Sequence, residues 1–278
     1  MTSKLFSFNQ IREQHAKAPA QPADAELDRT SRMMRNAKAG AEHPRAVLFD
    51  LYGTLAQISI DTKSDSVWNA FCAELAQGGI RADAARLHAR YDELIERERQ
   101  EHGQAFVLDS SFFYRLLRIR EPEDARVAHE FGRRFRALST TGLHSTHYAL
   151  PMLHSLQELG CKLAIVSNTE ATVTSYDLDR LQLRSFFNAV VLSSAVGIKK
   201  PDRRIFDIAL ERLRTEAADC VFVGDDFECD YVGAQNAGIR CILLCSGQHP
   251  AHIPCIRPEL DDIMAAIYEP APPAMDGR

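Results

Sequence analysis

Between residues 45 and 247 one pattern recurs: a short, nearly unbroken apolar run stops at small or polar residues, and an amphipathic stretch follows. The runs are AVLFD (46–50), KLAIVSN (162–168), AVVLSS (189–194), CVFVGDD (220–226) and CILLCS (241–246). They do not alternate apolar with polar, as strands wet on one face would. Strands covered by helices on both faces read this way. The stretches at 147–159, 171–183, 203–213 and 231–237 predict the covering helices. Gly160 and Gly238 stand where C-terminal helix caps belong. Strands alternating with helices, joined by right-handed crossovers, predict an α/β fold built on an open, doubly wound parallel sheet.

Residues 57–145 interrupt the pattern. Amphipathic stretches at about 65–77, 82–101, 110–119 and 122–138 predict helices, and Pro122 followed by acidic residues suits a helix start. The only strand-like run there is the brief AFVLD. A structureless loop of this length is implausible in a compact domain. The segment therefore reads as a helical cap domain, inserted into a core formed by 45–56 and 146–269. Residues 1–44 carry polar, alanine-rich stretches such as KAPAQPADAE and read as a flexible N-terminal extension. Residues 270–278 (PAPPAMDGR) read as a loose C-terminal tail.

Composition narrows the function classes. Of the 278 residues 45% are hydrophobic, enough for a real core, and the formal net charge is −5. A nucleic-acid-binding domain is usually basic, so no nucleic-acid partner is expected. No apolar run approaches the length that spans a bilayer, and MTSKLFSFNQIREQH lacks an apolar signal core. The expectation is a cytoplasmic protein. The seven cysteines are odd in number, and no pair has C-x-x-C spacing. Those inside CVFVG and CILLC read as small buried hydrophobes in a reducing compartment. Cys229, in an acidic loop, reads as an inert thiol. His144/His147 and His249/His252 form H-x-x-H pairs outside any metalloenzyme motif. The Arg133, Arg134, Arg136 run reads as a solvated helix face, and Trp68, Phe71, Phe112, Phe113 and Tyr114 read as cap core.

Candidate chemistry collects where the strands end, which is where open α/β sheets bind ligands. Asp50 ends the first run. Ser167 and Asn168 end the second, Lys199 and Lys200 follow the third, and Asp225, Asp226 and Asp230 follow the fourth. A carboxylate such as Asp50 can attack an electrophile and form a covalent intermediate. Transferring phosphate repels a carboxylate, and Mg²⁺ held by oxygens of Asp50 and Asp225 would offset that repulsion. Lys200 adds positive charge, and Ser167 can donate to phosphoryl oxygens. Gly53 permits a sharp turn after the nucleophile.

Four motifs, LFDLYGT, VSNT, KKPD and VFVGDDFECD, resemble in order those of the haloacid dehalogenase (HAD) superfamily, over roughly residues 45–247. The resemblance implies a Rossmann-like core with a helical cap after the first motif. It assigns Asp50 as nucleophile, the Tyr52 main-chain carbonyl as a metal ligand, and Thr54 as a residue orienting the first-motif loop. Ser167 and Asn168 match the phosphate-contacting second motif, Lys200 the charge-neutralising lysine, and Asp225 a direct metal ligand. Asp226 and Asp230 either support the metal and its waters or orient Lys200; for Asp226 a helix N-terminal role is the other reading.

One departure matters. Phosphatases of the family usually carry Asp two residues after the nucleophile, where this chain has Tyr52; D-x-Y-G-T is the pattern of its 2-haloacid dehalogenases. The fourth motif argues the other way, because Asp225, Asp226 and Asp230 without a cation would repel one another. The expectation is a Mg²⁺-dependent phosphomonoester phosphatase acting through an aspartyl-phosphate on a small phosphorylated metabolite. The rivals are a metal-independent 2-haloacid dehalogenase and a catalytically weak HAD-like binding protein.

Overall fold

A computed structural model describes residues 44–102, 111–118, 126–246 and 249–269. The expectations for residues 1–43, the AFVLD run, the helix start at Pro122 and the 270–278 tail lie outside these residues.

Five strands form one parallel sheet in the order β5-β4-β1-β6-β7: β1 (Ala46–Phe49), β4 (Lys162–Ser167), β5 (Ala189–Leu192), β6 (Cys220–Gly224) and β7 (Arg240–Leu243). This is the doubly wound α/β core that the apolar runs predict. The central strand, β1, is buried along its whole length. On one face Ala46, Leu48, Ala164, Val166, Val191 and Phe222 pack with Ile205, Phe206, Ala209 and Leu213 of α7 (Arg203–Leu213). The alternate residues Val47, Phe49, Leu163 and Ile165 are equally buried, and α5 (Ala149–Glu158) packs on β4. Continuous apolar runs are what two covered faces require. Crossover helices α6 (Ala171–Arg180) and α7 follow β4 and β5, and Asp202 caps α7 by accepting from the Arg204 N–H at 3.0 Å. The fourth run leads into a π-helical turn, Phe227–Val232, earlier than the stretch at 231–237 predicts. A final helix, α8 (Leu260–Tyr268), which the strand pattern did not reveal, packs on α5 and β7.

Between β1 and α5 the described residues form four helices: α1 (Asp65–Gln77), α2 (Ala84–His102), α3 (Ser111–Leu117) and α4 (Arg126–Ser139). Ser64 caps α1 by accepting from the Ser66 N–H. Trp68, Phe71, Phe112, Phe113 and Phe135 make the centre of a separate apolar cluster. Their rings meet mostly edge-on or tilted, as the aromatic quadrupole favours. The helical reading of this segment omitted two strands. β2 (Ala56–Ile60) and β3 (Thr140–Ser145) pair antiparallel as a ribbon at the base of the insertion. Only Ala56 of β2 is buried, so neither a continuous apolar run nor a clean alternation marks the ribbon.

The cysteines need a second correction. Cys245 and Cys255 form a disulfide, whereas Cys245 was expected to be a reduced, buried hydrophobe. The bridge pairing Leu244 with Ile256 brings the flanking segments together and leaves the two Cα atoms 5.1 Å apart, within disulfide reach. Cys161 and Cys220 are buried free thiols.

Candidate active site

Each strand delivers its group at the same edge because the sheet is parallel and in register. Asp50 follows β1 and is tied to β6 by its N–H to the Val223 carbonyl, 3.0 Å. Ser167 ends β4 and is buried. Asp225 follows β6. Together with Tyr52, Asn168, Thr169, Lys200, Asp226, Cys229 and Asp230 these residues line a cleft of about 230 Å³.

At its floor the Lys200 ammonium donates to Asp50 Oδ1 and to Asp230 Oδ1, each at 2.6 Å. Lys200 is only 2% exposed. Burial works against its charge, but the Asp230 and Asp50 carboxylates outweigh burial and hold its pKa above the ordinary lysine value. Burial pushes the Asp230 carboxyl up, and Lys200 opposes that push. The other Asp230 oxygen accepts from the N–H groups of Asp225 and Asp226, both at 3.0 Å. Asp230 therefore faces Lys200 and the fourth-motif backbone. Gly224 is what permits this approach, since a Cβ there would collide with the Asp230 carboxylate.

Asp225 stands on the opposite side. Thr54 Oγ1 donates to its Oδ1 at 2.9 Å. Burial and the Asp50 charge raise the Asp225 carboxyl, against hydrogen bonds from Thr54 and Ser246. Gly53, at φ +94°, turns the chain under Asp225 where a side chain would overlap the carboxylate. One oxygen from each of Asp50, Asp225 and Asp230 lies within 4.8 Å of the others. Asp226 accepts from the Cys229 N–H at 2.6 Å and so caps the π-helical turn. Asn168 clamps the Lys200 backbone: its Oδ1 accepts the Lys200 N–H at 2.7 Å and its amide donates to the Lys200 carbonyl at 2.9 Å. Burial pushes the Cys229 thiol up to about 12.

Tyr52 points away from this floor. Its hydroxyl donates to Asp177 Oδ2 at 2.7 Å, and Arg136 Nη2 donates to the Tyr52 oxygen at 3.2 Å. Burial above all, with the Asp177 charge adding to it, keeps the phenol protonated well beyond neutral pH. Arg136 also donates to Asp177 Oδ2 from Nε (3.2 Å) and Nη2 (3.1 Å). This corrects the reading of the arginine run. Arg133 and Arg134 are solvated and pair with Glu130, but the Arg136 side chain is 16% exposed and its partner 0%. Sequence reasoning missed Asp177 entirely: an aspartate in a helix reads as a surface residue unless its buried partner is known.

The sequence model of the haloacid dehalogenase-like hydrolases matches residues 44–238. A glyceraldehyde 3-phosphate phosphatase of Methanopyrus kandleri is 28% identical over 215 residues, 74% of this chain and 85% of that one. Haloacid dehalogenase-like hydrolase domain-containing protein 3 of Mus musculus is 41% identical over 96 residues, 34% of this chain and 38% of the mouse protein. Among solved structures, a HAD phosphatase from Thermococcus onnurineus superposes with a TM-score of 0.57 at 22% identity, covering 81% of this chain and 99% of that one. A 2-haloacid dehalogenase from Pseudomonas syringae gives 0.51 at 24%, covering 76% and 92%. Below a quarter identity both likenesses speak to the fold, which the two chemistries share. With the motifs at one sheet edge and the family match across most of its length, this chain belongs to the haloacid dehalogenase-like hydrolases.

Proposed function

We propose that the protein is a Mg²⁺-dependent phosphomonoester phosphatase that works through an aspartyl-phosphate on a small phosphorylated metabolite. The observation that carries this reading is a charge imbalance. Three carboxylates (Asp50, Asp225 and Asp230) bring oxygens within 4.8 Å of one another, and one ammonium, Lys200, pairs with Asp50 and Asp230. Two negative charges are left, in a cleft where burial already raises Asp225. A divalent cation would neutralise them, and an all-oxygen donor set suits Mg²⁺. Asp50, the Tyr52 carbonyl and Asp225 would hold it, while Asp226 and Asp230 fix the loop and Lys200 behind them. Bound there, the cation would draw the phosphoryl group towards Asp50 and offset its charge. The phosphatase relatives support the same choice.

In this reading an Asp50 oxygen attacks phosphorus and the bond to the leaving oxygen breaks. Lys200 aims Asp50 through its hydrogen bond to Oδ1. Ser167 and nearby N–H groups bind the phosphoryl oxygens. Water then attacks phosphorus and frees Asp50. The Tyr52 hydroxyl is committed to its hydrogen bond with Asp177, so protons for the leaving alcohol and from the attacking water exchange with solvent. A long-lived phosphoaspartate follows. The four-helix insertion acts as the cap that closes over the cleft and selects the substrate. A cytoplasmic location belongs to this reading, since membranes retain small charged phosphate esters.

Tyr52, in the position of D-x-Y-G-T, favours a second reading: a dehalogenase in which Asp50 attacks carbon and expels halide. One assay set decides. Phosphate release from a panel of phosphomonoesters is expected with Mg²⁺ and not with EDTA, and no halide is expected from 2-chloropropionate. Metal-independent halide release would reverse the choice. Silence in both assays with folding intact would leave the binding-protein reading.

A further inference from the structure

The insertion touches the sheet domain through a buried ion pair that ends on the loop carrying Asp50. Asp177, in the middle of α6, is wholly buried. Its Oδ2 takes every hydrogen bond the carboxylate makes, from Tyr52 and Arg136, while Oδ1 is buried with no hydrogen-bond partner among the described residues. Arg136 comes from the last turn of α4, and its guanidinium also lies over the Tyr52 ring, 5.6 Å from the centroid. The Arg136 carbonyl accepts from Thr140 Oγ1 at 2.6 Å, where helix becomes ribbon strand β3. On the core side, Tyr52 bridges to Ala56, the first residue of β2, and the Gly53 N–H donates to the Ala56 carbonyl at 2.8 Å. The ribbon, α4, α6 and the nucleophile loop thus meet at one half-satisfied carboxylate.

We propose that Arg136, Asp177 and Tyr52 form a latch, in which Arg136 and Asp177 are positioning residues that let docking of the insertion set the geometry of the loop bearing Asp50. A fully hydrogen-bonded pair would only rigidify the contact. Here the pair joins α4, whose Phe135 belongs to the aromatic cluster of the insertion, to α6 of the sheet domain, with the ribbon as the connection. Opening about the ribbon would separate Arg136 from Asp177 and take from Tyr52 the guanidinium that bonds its oxygen and lies over its ring, leaving the Tyr52–Asp177 bond alone to hold the loop. The catalytic half of this inference rests on the phosphatase reading; the conformational half does not.

The test is Arg136→Ala, read by hydrogen exchange and by turnover of p-nitrophenyl phosphate with Mg²⁺. Amide exchange in α6 and residues 50–56 is expected to rise about tenfold or more, while β1 and β4 keep their protection. kcat is expected to fall about tenfold or more with KM within about twofold, because a displaced nucleophile loop impairs the transition state rather than binding. Arg136→Lys restores the charge but not the fork, and should recover part of the lost kcat. Asp177→Asn on top of Arg136→Ala should cost less than about a further twofold, since the two act through each other. Unchanged exchange and turnover would overturn the latch. So would exchange rising evenly through the sheet, which marks a merely structural pair. Should Arg136→Ala fail to fold, the near-isosteric Asp177→Asn alone is read by the same criteria. If the unaltered protein releases no phosphate, the phosphatase reading falls and the exchange pattern alone decides on the latch.

Discussion

Lys200, buried, and Arg136, half-buried, hold their carboxylate partners in opposite ways. Lys200 sits beneath the strand ends with both of its carboxylate partners in the same α/β core, and two backbone N–H groups complete Asp230. Arg136 reaches Asp177 from the helical insertion, and one oxygen of that carboxylate has no hydrogen-bond partner among the described residues. The first arrangement is closed and over-determined; the second runs from the insertion to a helix of the sheet domain. A buried charge can be kept permanently where the sheet fixes every ligand, and it can act as a switch where a ribbon separates the partners. The surrounding packing differs in the same sense. Aliphatic runs covered on both faces make the sheet, while the insertion depends on a knot of rings around Trp68 and Phe135.

Four measurements sharpen or break this contrast. The largest effect is expected at the closed site: Asp50→Asn should lower phosphate release about a thousandfold or more with the fold retained, and an active variant would remove the proposed nucleophile. Next is Lys200→Met, which strands Asp50 and Asp230 without their cation. Urea unfolding should show a loss of about 3–5 kcal/mol. If the loss is under 1 kcal/mol, the closed cluster is no more committed than a surface pair.

Phe135→Ala probes the insertion. Removing a buried ring costs about 3–5 kcal/mol, and here the cost should fall on one region. Trp68 is the single tryptophan of the chain, so its fluorescence reports the insertion while circular dichroism reports the whole. The fluorescence transition should move to lower urea ahead of the dichroism transition, and coincident curves would show that the two clusters unfold as one unit. The smallest effect is expected for Arg134→Ala, two residues before the latch. Its exposed pair with Glu130 should be worth less than about 0.5 kcal/mol in the same unfolding assay. A larger loss would mean that burial does not separate Arg134 from Arg136.

The layered core was legible in the chain because burial on both faces demands uninterrupted apolar residues, and five such runs stand out at a glance. The strand-end groups were legible for a related reason. A parallel sheet brings the residue after each strand to one edge, so Asp50, Ser167 and Asp225 had to be neighbours once the strands were right. The ribbon was not legible: AQISI and TTGLHS leave most positions at least partly exposed and carry no period that separates them from loop. Nor was the disulfide, since pairing Cys245 with Cys255 depends on the bridge between Leu244 and Ile256.

Local pattern therefore reaches as far as groups attached to regular elements at known positions. The role of Tyr52 lay beyond it. Whether that phenol faces the cleft or turns to a buried aspartate depends on Asp177, 125 residues away, and on an arginine that looks like its two solvated neighbours. Charge and periodicity are properties of the chain alone, but burial of a particular charge comes into being only when distant segments pack, and it is burial that makes Arg136 different from Arg134.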